Sequence, residues 1–262
     1  GDLQALNEFL WRHFTDVFAG GVHILPPFPS SGDRGFAPLT YLEIEPAFGT
    51  WEDVRRVGED FDVLLDLMVN HVSRQSPYFQ DFLKKGRRSE FADMFITLDK
   101  IWPGGDPPQA DVAQIFLRRP EHPFSDITIE ETGQVERIWT SFGKETPSEQ
   151  IDLDVRSEQA RELLAGFLAH FAQQGVKIVR LDAVAYVTKR AGTSCFFVEP
   201  EIYQFMEWIT DVAAPLGIEL LPEVHAHYSV QRKLAEHGYW VYDFVLPALI
   251  LHTLFSRSSR KL

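Results

Sequence analysis

The chain has 262 residues, of which 45% are hydrophobic, so it is long enough to bury the core of one barrel-sized domain. Its formal net charge of −13 excludes a surface that would attract nucleic acid or an anionic membrane from a distance. Its single cysteine excludes an internal disulfide framework, and because no signal peptide or membrane-spanning run is visible, we expect a cytoplasmic protein.

The amino-terminal part alternates between helical and extended patterns. Residues 3–18 have the apolar spacing of an amphipathic helix, and residues 21–25 predict a short buried strand that ends at a Pro-Pro pair. Thr50 begins a capping-box pattern that predicts a short helix up to about residue 58. A second apolar strand is predicted over residues 63–69.

The middle of the chain, residues 73–155, has a different character. It contains Pro-Gly clusters and mixed charge without a sustained period, which indicates an inserted small domain of short strands and long loops.

Strands and helices alternate again towards the carboxyl end. In chain order we predict a helix after Ser157, a strand over 176–184, a helix after Pro200, a strand over 219–224, a helix over 230–236 and a strand over 239–244. Strands separated by helices at this spacing indicate a parallel sheet and therefore an α/β fold.

Ionisable side chains follow the predicted strands at the ends where parallel folds gather their functional groups. Asp182 and Glu223 stand at the ends of consecutive strands, which lie about 4.8 Å apart in a sheet. A retaining glycosidase needs two carboxyl groups about 5–5.5 Å apart, so this pair fits a nucleophile and an acid/base. Taken alone, each carboxylate also fits a helix cap or a salt bridge.

Arg180 is two residues before Asp182 and therefore points to the same face of its strand. A cation at this position predicts that Asp182 is held ionised, as a nucleophile must be. Glu223 has to start protonated, which predicts a drier setting for it.

Four motifs in order resemble glycoside hydrolase family 13, the α-amylase clan. They are Asp-Leu-Met-Val-Asn-His at 66–71, Gln-Ile-Asp-Leu-Asp at 150–154, Val-Arg-Leu-Asp-Ala-Val at 179–184 and Leu-Pro-Glu-Val-His at 221–225. The chain is most similar to the sucrose phosphorylase-like subfamily, through segments at 21–26, 33–36, 118–124 and 180–186 and the block Ala-Gly-Thr-Ser-Cys-Phe at 191–196.

The resemblance implies a partial (β/α)8 barrel of about strands two to six, with an inserted domain after the third strand. Residues 1–72 and 156–262 then form the two barrel segments, and residues 73–155 form the insertion. We expect five parallel strands in chain order. Since the family's first strand and its seventh-strand His-Asp pair have no counterpart, the chain has the pattern of an internal fragment.

The same resemblance assigns roles to individual residues. Asp182 is the expected nucleophile and Glu223 the expected general acid/base, with Arg180 beside them. The remaining expected contacts are Asp33 and His71 to glucose hydroxyls, Phe36 against the sugar face, Phe142 as a cap, and Tyr186, His225 and Arg119 to phosphate or the leaving sugar. The two phenylalanines also fit core packing, and Arg119 equally fits a surface salt bridge.

The expected activity is retaining α-glucosyl transfer, with inorganic phosphate as co-substrate and no other cofactor. Asn70 occupies the place of a calcium ligand in amylases, but the phosphorylase branch lacks that ion, so we expect no metal. A hydrolase or transglycosylase with the same two carboxylates stays an alternative, as does an inactive fragment or sugar-binding remnant. The acceptor sugar and the oligomeric state stay open, and we expect the isolated chain to be inactive and prone to self-association.

Overall fold

The computed structural model describes residues 1–17, 20–118, 123–143 and 148–262. Its main sheet has four parallel strands in the order β1-β2-β7-β8, and two antiparallel pairs, β3-β6 and β4-β5, lie outside it. The strands are β1 (Gly21–His23), β2 (Asp62–Met68), β3 (His71–Ser73), β4 (Phe124–Thr128), β5 (Val135–Trp139), β6 (Gln150–Asp152), β7 (Ile178–Asp182) and β8 (Glu219–Pro222).

Eight α-helices accompany these strands in the described ranges. They are α1 (Leu3–Phe14), α2 (Trp51–Val57), α3 (Pro77–Lys85), α4 (Gln109–Val112), α5 (Glu158–Gln173), α6 (Glu201–Ala213), α7 (Tyr228–Glu236) and α8 (Leu246–Ser256). None of the helices that the structure describes is long and apolar enough to cross a membrane.

Local signals in the sequence account for where the helices begin. Thr50 forms the complete capping box with Asp53 ahead of α2, and the Ser157 hydroxyl accepts from the Ala160 N–H at the start of α5. These side chains satisfy amide groups that have no partner within the helix. The capping predictions are therefore confirmed, whereas α1 ends at Phe14, earlier than the predicted residue 18, which lies outside the described residues.

The prediction of a fifth parallel strand is wrong. Residues 239–244 form no strand, and Trp240 and Phe244 are 65% and 41% exposed. An edge strand here would have to pair with β8, whose last residue, Pro222, has no N–H to donate. Tyr239 and Val241 pack against the main core, but no residue of the segment is fully buried, so its apolar alternation does not fix a strand register.

An aromatic cluster packs between α5 and the sheet. The Phe28 ring is stacked on Phe171 with 5.6 Å between centroids, and the Tyr41 ring lies 4.6 Å from Phe167. The Tyr41 hydroxyl also accepts a 2.8 Å hydrogen bond from the Met68 N–H at the end of β2. The cluster therefore joins the helix layer to the strand that precedes His71.

The middle segment joins the rest of the chain through β3, which pairs antiparallel with β6. It has a second, smaller core in which Trp102 is stacked on Trp139 at 5.7 Å and Cys195 is buried beside them. Because β3 spans residues 71–73, the predicted boundary at residue 73 falls within a strand. The domain boundaries at 73 and 155 stay a prediction.

Removal of the Tyr41 hydroxyl tests the contact between the aromatic cluster and β2. Tyr41→Phe leaves the Met68 N–H without its partner in a site where Tyr41 is 1% exposed. We expect the free energy of unfolding to fall by about 1–3 kcal/mol in urea titrations. Tyr228→Phe is the control, because Tyr228 is 62% exposed and its change should stay within about 0.5 kcal/mol. Equal effects of the two substitutions would show that the Tyr41 hydroxyl does not stabilise the end of β2.

Candidate active site

A cavity of about 290 Å³ opens at the carboxyl ends of the parallel strands. Asp182 is the last residue of β7, and Glu223 directly follows β8. The cavity is lined by Asp33, Phe36, His71, Arg118, Phe142, Gln150, Arg180, Asp182, Ala183, Ala185, Tyr186, Glu223 and His225. The structure thus brings together every described residue that the sequence predicted for the site, while Arg119 lies outside the described residues.

The Arg180 guanidinium connects the carboxylates of the site. Its Nη1 donates to Asp66 Oδ1 at 2.6 Å and to Asp182 Oδ1 at 2.8 Å, and its Nη2 lies 3.9 Å from Glu223 Oε1. Asp66 is fully buried and also hydrogen-bonds His23 Nε2 at 2.8 Å. One cation therefore neutralises part of the charge of three acidic groups on β2, on β7 and after β8.

The alternation of β7 explains why these groups face the cavity. Val179 and Leu181 are buried in the main core, so the side chains of Arg180 and Asp182 lie on the opposite face. Ala183 then adopts a left-handed conformation with φ of 57°, and its N–H donates to Glu223 Oε2 at 3.3 Å. This turn ties the glutamate carboxylate to the residue that follows Asp182.

Burial sets the protonation of Asp182. Desolvation raises the pKa of its carboxyl from 3.8 to about 7, opposed by Arg180 and reinforced by the charges of Glu223 and Asp66. Arg180 acts in the predicted direction, but burial outweighs it. The expectation that Glu223 has the drier setting is not met, since the Glu223 side chain is 19% exposed and that of Asp182 is 14% exposed. The apolar β7 strand keeps Asp182 close to the core.

A second polar group lies across the cavity from Asp182. Gln150 Nε2 donates to Asp33 Oδ2 at 3.1 Å and to the Phe36 carbonyl at 2.9 Å. His71 Nε2 lies 2.9 Å from the same carbonyl, and burial lowers the pKa of His71. A neutral imidazole with its proton on Nε2 suits this arrangement, because a carbonyl oxygen can only accept.

The turn that carries Asp33 and Phe36 depends on a close backbone approach. Asp33 and Arg34 have positive φ values, and Gly35 has φ of 103°. A Cβ at Gly35 would meet the Pro26 carbonyl oxygen at 2.8 Å, so only glycine fits. This constraint explains why glycine stands between Arg34 and Phe36.

Aromatic rings form one wall of the cavity. The Phe142 ring lies 4.8 Å from the Tyr186 ring and 5.3 Å from the His71 ring. Phe36 and Phe142 are partly buried, and each both lines the cavity and packs against the main core. Burial raises the pKa of Tyr186 to about 12, which keeps its hydroxyl protonated as a donor.

A basic pair lies at the side of the cavity near Glu223. Arg118 Nη2 is 3.2 Å from His225 Nδ1, and both residues line the cavity. In the described part of the chain, no carboxylate lies within ion-pair distance of Arg118. Arg118 therefore offers positive charge to an anion, in a protein whose net charge is −13.

Four residues of the site were not assigned by sequence. Asp66, Gln150 and Arg118 lie within the family-like motifs, so their position beside assigned residues was the available signal. Tyr242, whose ring centre is 5.7 Å from Arg180 Cζ, lies in the segment wrongly predicted as a strand. No local sequence pattern marked Tyr242 as a neighbour of Arg180.

A buried ammonium group lies beside Asn70, for which the resemblance implies the position of a calcium ligand. Lys189 Nζ lies 2.7 Å from Asn70 Oδ1 and 2.7 Å from Asp152 Oδ2, and it also donates to the Tyr186 carbonyl. The side chains of Lys189 and Asp152 are 1% and 0% exposed. The lysine satisfies oxygen atoms that would otherwise be suited to a hard cation, and the described residues contain no cluster of three or more metal-ligating side chains.

Comparison with known proteins shows the family of the chain. Residues 1–227 match the family model described as the catalytic domain of alpha-amylase. The sucrose 6(F)-phosphate phosphorylase of Thermoanaerobacterium thermosaccharolyticum is 63% identical over 100% of this chain and 53% of its own length. The sucrose phosphorylase of Streptococcus mutans is 45% identical over 97% of this chain and 52% of its own length.

A solved structure shows the same sequence identity of 63%. The crystal structure of sucrose 6F-phosphate phosphorylase from Thermoanaerobacter thermosaccharolyticum matches with a TM-score of 0.95 and 63% identity. The match covers 98% of this chain and 52% of that one. The chain thus spans about half the length of the curated relatives it matches.

Lys189→Met tests the buried ammonium. The substitution keeps the side-chain volume but leaves the buried Asp152 carboxylate without its cation, so we expect a loss of about 3–5 kcal/mol in unfolding free energy. Lys233→Met is the matched control, because Lys233 pairs with Glu199 at 2.8 Å on the surface and should contribute only about 0–1 kcal/mol. A small effect at Lys189 would show that Asp152 is satisfied without it.

Asp182→Asn tests the protonation of the buried carboxyl. The folded chain keeps a proton on Asp182 up to about pH 7, whereas the unfolded chain releases it near 3.8. The contribution of this group to stability is therefore present below about pH 4 and lost as pH rises through 7. Relative to wild type, the Asn variant should gain about 2–3 kcal/mol between pH 5 and pH 8 in urea titrations.

The control for this pH effect is Asp126→Asn. Arg137 lowers the pKa of Asp126, so that carboxyl is already ionised throughout pH 5–8 and its substitution should give a flat difference. A flat difference at Asp182 as well would mean that its pKa is not raised.

Proposed function

The chain belongs to the alpha-amylase family, and on this premise we propose that it carries the nucleophile and the acid/base of a retaining α-glucosyl phosphorylase. The observation that supports this most directly is the cavity in which Asp182 and Glu223 share the Arg180 guanidinium. Two phosphorylases are 63% and 45% identical to this chain, and this similarity supports transfer to phosphate.

In the proposed first step, an Asp182 carboxylate oxygen attacks the anomeric carbon of an α-glucoside. The bond to the leaving oxygen breaks as Glu223 donates its proton to that oxygen, which leaves a glucosyl-enzyme ester. As Glu223 becomes charged, its attraction to Arg180 strengthens, because Arg180 Nη2 lies 3.9 Å from Glu223 Oε1.

In the proposed second step, a phosphate oxygen attacks the same anomeric carbon and displaces Asp182. Glu223 accepts the proton if phosphate enters as the monoanion. Two inversions retain the configuration, so the product is α-glucose 1-phosphate. No metal or organic cofactor has a role in these steps.

The glucose of the donor is proposed to lie between the polar and aromatic sides of the cavity. Asp33 accepts from its hydroxyls and is oriented by Gln150, while His71 is held by the Phe36 carbonyl. Phe36 and Phe142 provide apolar surface for the sugar faces. These contacts explain how a sugar without charge could be held in place.

The donor is proposed to be sucrose phosphorylated on its fructose unit. The relative named for that substrate is 63% identical to this chain, against 45% for the relative named for sucrose. Arg118 supplies positive charge and His225 a ring nitrogen contact beside Glu223, where the leaving sugar and then phosphate would bind. An anionic leaving group and an anionic acceptor would use the same pair.

We also propose that the four parallel strands are part of a (β/α)8 barrel, with residues 73–155 inserted after its third strand. The TM-score of 0.95 to a phosphorylase of this family supports the placement, and the carboxyl-end location of the cavity is typical of such barrels. The residues from 156 onwards then contribute the strands that carry Asp182 and Glu223.

Activity is tested in a chimaera in which this chain replaces the corresponding half of its 63%-identical relative. With sucrose 6F-phosphate and saturating phosphate we expect α-glucose 1-phosphate as the main product, measured by coupled enzyme assay and chromatography. If free glucose dominates instead, the hydrolase alternative is correct. The unmodified relative, assayed in parallel, controls for the quality of the assay.

Two substitutions in the chimaera test the assigned roles. Asp182→Asn should abolish the covalent intermediate trapped with a fluorinated glucosyl fluoride. Glu223→Gln should slow phosphorolysis of sucrose 6F-phosphate by about 10²–10⁴-fold but spare glucosyl transfer from α-glucosyl fluoride, whose leaving group needs no proton. Glu219→Gln, on the same strand and exposed, is the control. Equal rates of Glu223→Gln and the parent on both donors would remove Glu223 from the acid role.

A further inference from the structure

The Gly-Thr-Ser-Cys-Phe sequence at 192–196 has no catalytic task in the proposed mechanism. It lies in the loop between β7 and α6, outside the cavity. Cys195 and Phe197 adopt left-handed conformations with φ of 50° and 48°. Non-glycine residues persist in this region only where surrounding contacts hold them. The loop therefore has a constrained shape that its neighbours impose.

Asp111, in the inserted segment, joins this loop through one carboxylate oxygen. Its Oδ2 accepts from the Gly192 N–H at 3.0 Å and from the Trp102 indole N–H at 2.7 Å. Trp102 is 4% exposed and is stacked on Trp139. Asp111 thus connects the loop after the nucleophile strand to the rigid small core of the insertion.

A second connection follows five residues later. The Phe116 N–H donates to the Ser194 carbonyl at 2.8 Å, and the Phe116 ring lies 4.4 Å from the Phe196 ring. The Phe196 ring is in turn 5.0 Å from Tyr186, which lines the cavity. The segment that leads to Arg118 is therefore held at its backbone and at its side chain.

Arg118 itself is exposed and lies only two residues beyond Phe116. Its described side-chain contact is the 3.2 Å approach to His225 Nδ1. A long side chain with one such contact keeps its position only if its backbone is fixed. The fixed backbone is provided by the two connections at Asp111 and Phe116.

We propose that Asp111 is a positioning residue that holds Arg118 at the acceptor side of the cavity, through the loop at 192–196. The ligand class that this geometry serves is an anionic acceptor, inorganic phosphate in the simplest case. The inference rests on the proposed function for its kinetic meaning, but its structural content is the placement of the segment 111–118. Asp111 touches neither the sugar nor the reacting atoms.

A merely stabilising role for Asp111 predicts a different result. If Asp111 only stabilised the fold, its loss would lower the amount of active protein and reduce every rate alike. A positioning role changes the KM for phosphate and leaves the donor step unaffected. The two roles are therefore separated by comparing phosphate with α-glucosyl fluoride as the varied reactant.

The test uses Asp111→Ala and Asp111→Asn in the chimaera. For the Ala variant we expect the KM for phosphate to rise by about tenfold, with kcat at saturating phosphate and the KM for α-glucosyl fluoride within about threefold. The Asn variant should stay within about threefold for all three, because its amide oxygen can accept both N–H groups. Asp126→Ala, which removes an exposed ion pair on the β4-β5 hairpin, is the control.

A second measurement does not depend on activity. Hydrogen exchange on the chimaera should show faster exchange of the Phe116 amide in Asp111→Ala than in the parent, with Asn close to the parent. Phe116→Leu, at a 44% exposed site, provides a second variant that should also raise the phosphate KM. An unmodified chimaera that makes only glucose rejects the proposed function, whereas the exchange result still decides the placement by Asp111.

The inference is overturned if Asp111→Ala leaves the phosphate KM within about twofold of the parent. It is also overturned if the Ala variant lowers both half-reactions alike, or if the Phe116 amide is equally protected in both chains. If Asp111→Ala cannot be purified, Phe116→Leu decides, because a parental KM for phosphate in that variant rejects the proposal.

Discussion

The site depends on the interactions of the half-buried Arg180 guanidinium. It joins Asp66 on β2 to Asp182 on β7 and approaches Glu223 after β8, so that three strand ends share one charge. Three carboxylates this close would repel one another strongly without it, since repulsion grows in a low-dielectric interior. Burial outweighs the attraction to Arg180 at Asp182, and the charges of Glu223 and Asp66 add to it, so the pKa of Asp182 is raised.

The sequence predicted those parts of the fold that depend on local signals. The capping box at Thr50 and the apolar face of α5, including Phe167 and Phe171, follow from side-chain spacing and were confirmed. The extra strand at 239–244 was wrong because alternation alone does not show whether a face is covered. Strand formation there depends on neighbours that the segment itself does not encode.

The site divides in the same way. Asp182, Glu223 and Arg180 could be predicted because strand period and sheet spacing fix their relative placement. Which of the two carboxylates is less exposed to solvent could not be predicted, since it depends on how deeply each strand end is packed. Arg118 was also beyond local prediction, because it reaches the cavity from a segment far away in the chain.

The two hydrophobic cores support different parts of the site. The main core supports the strands that carry Arg180 and Asp182. The small core around Trp102, Trp139 and Cys195 supports the segment that leads to Arg118. Substitutions in the small core can thus shift the acceptor side with little disturbance of Asp182. Under the proposed function, repacking a few side chains of the small core would exchange one acceptor for another, while Asp182 and Glu223 keep their positions.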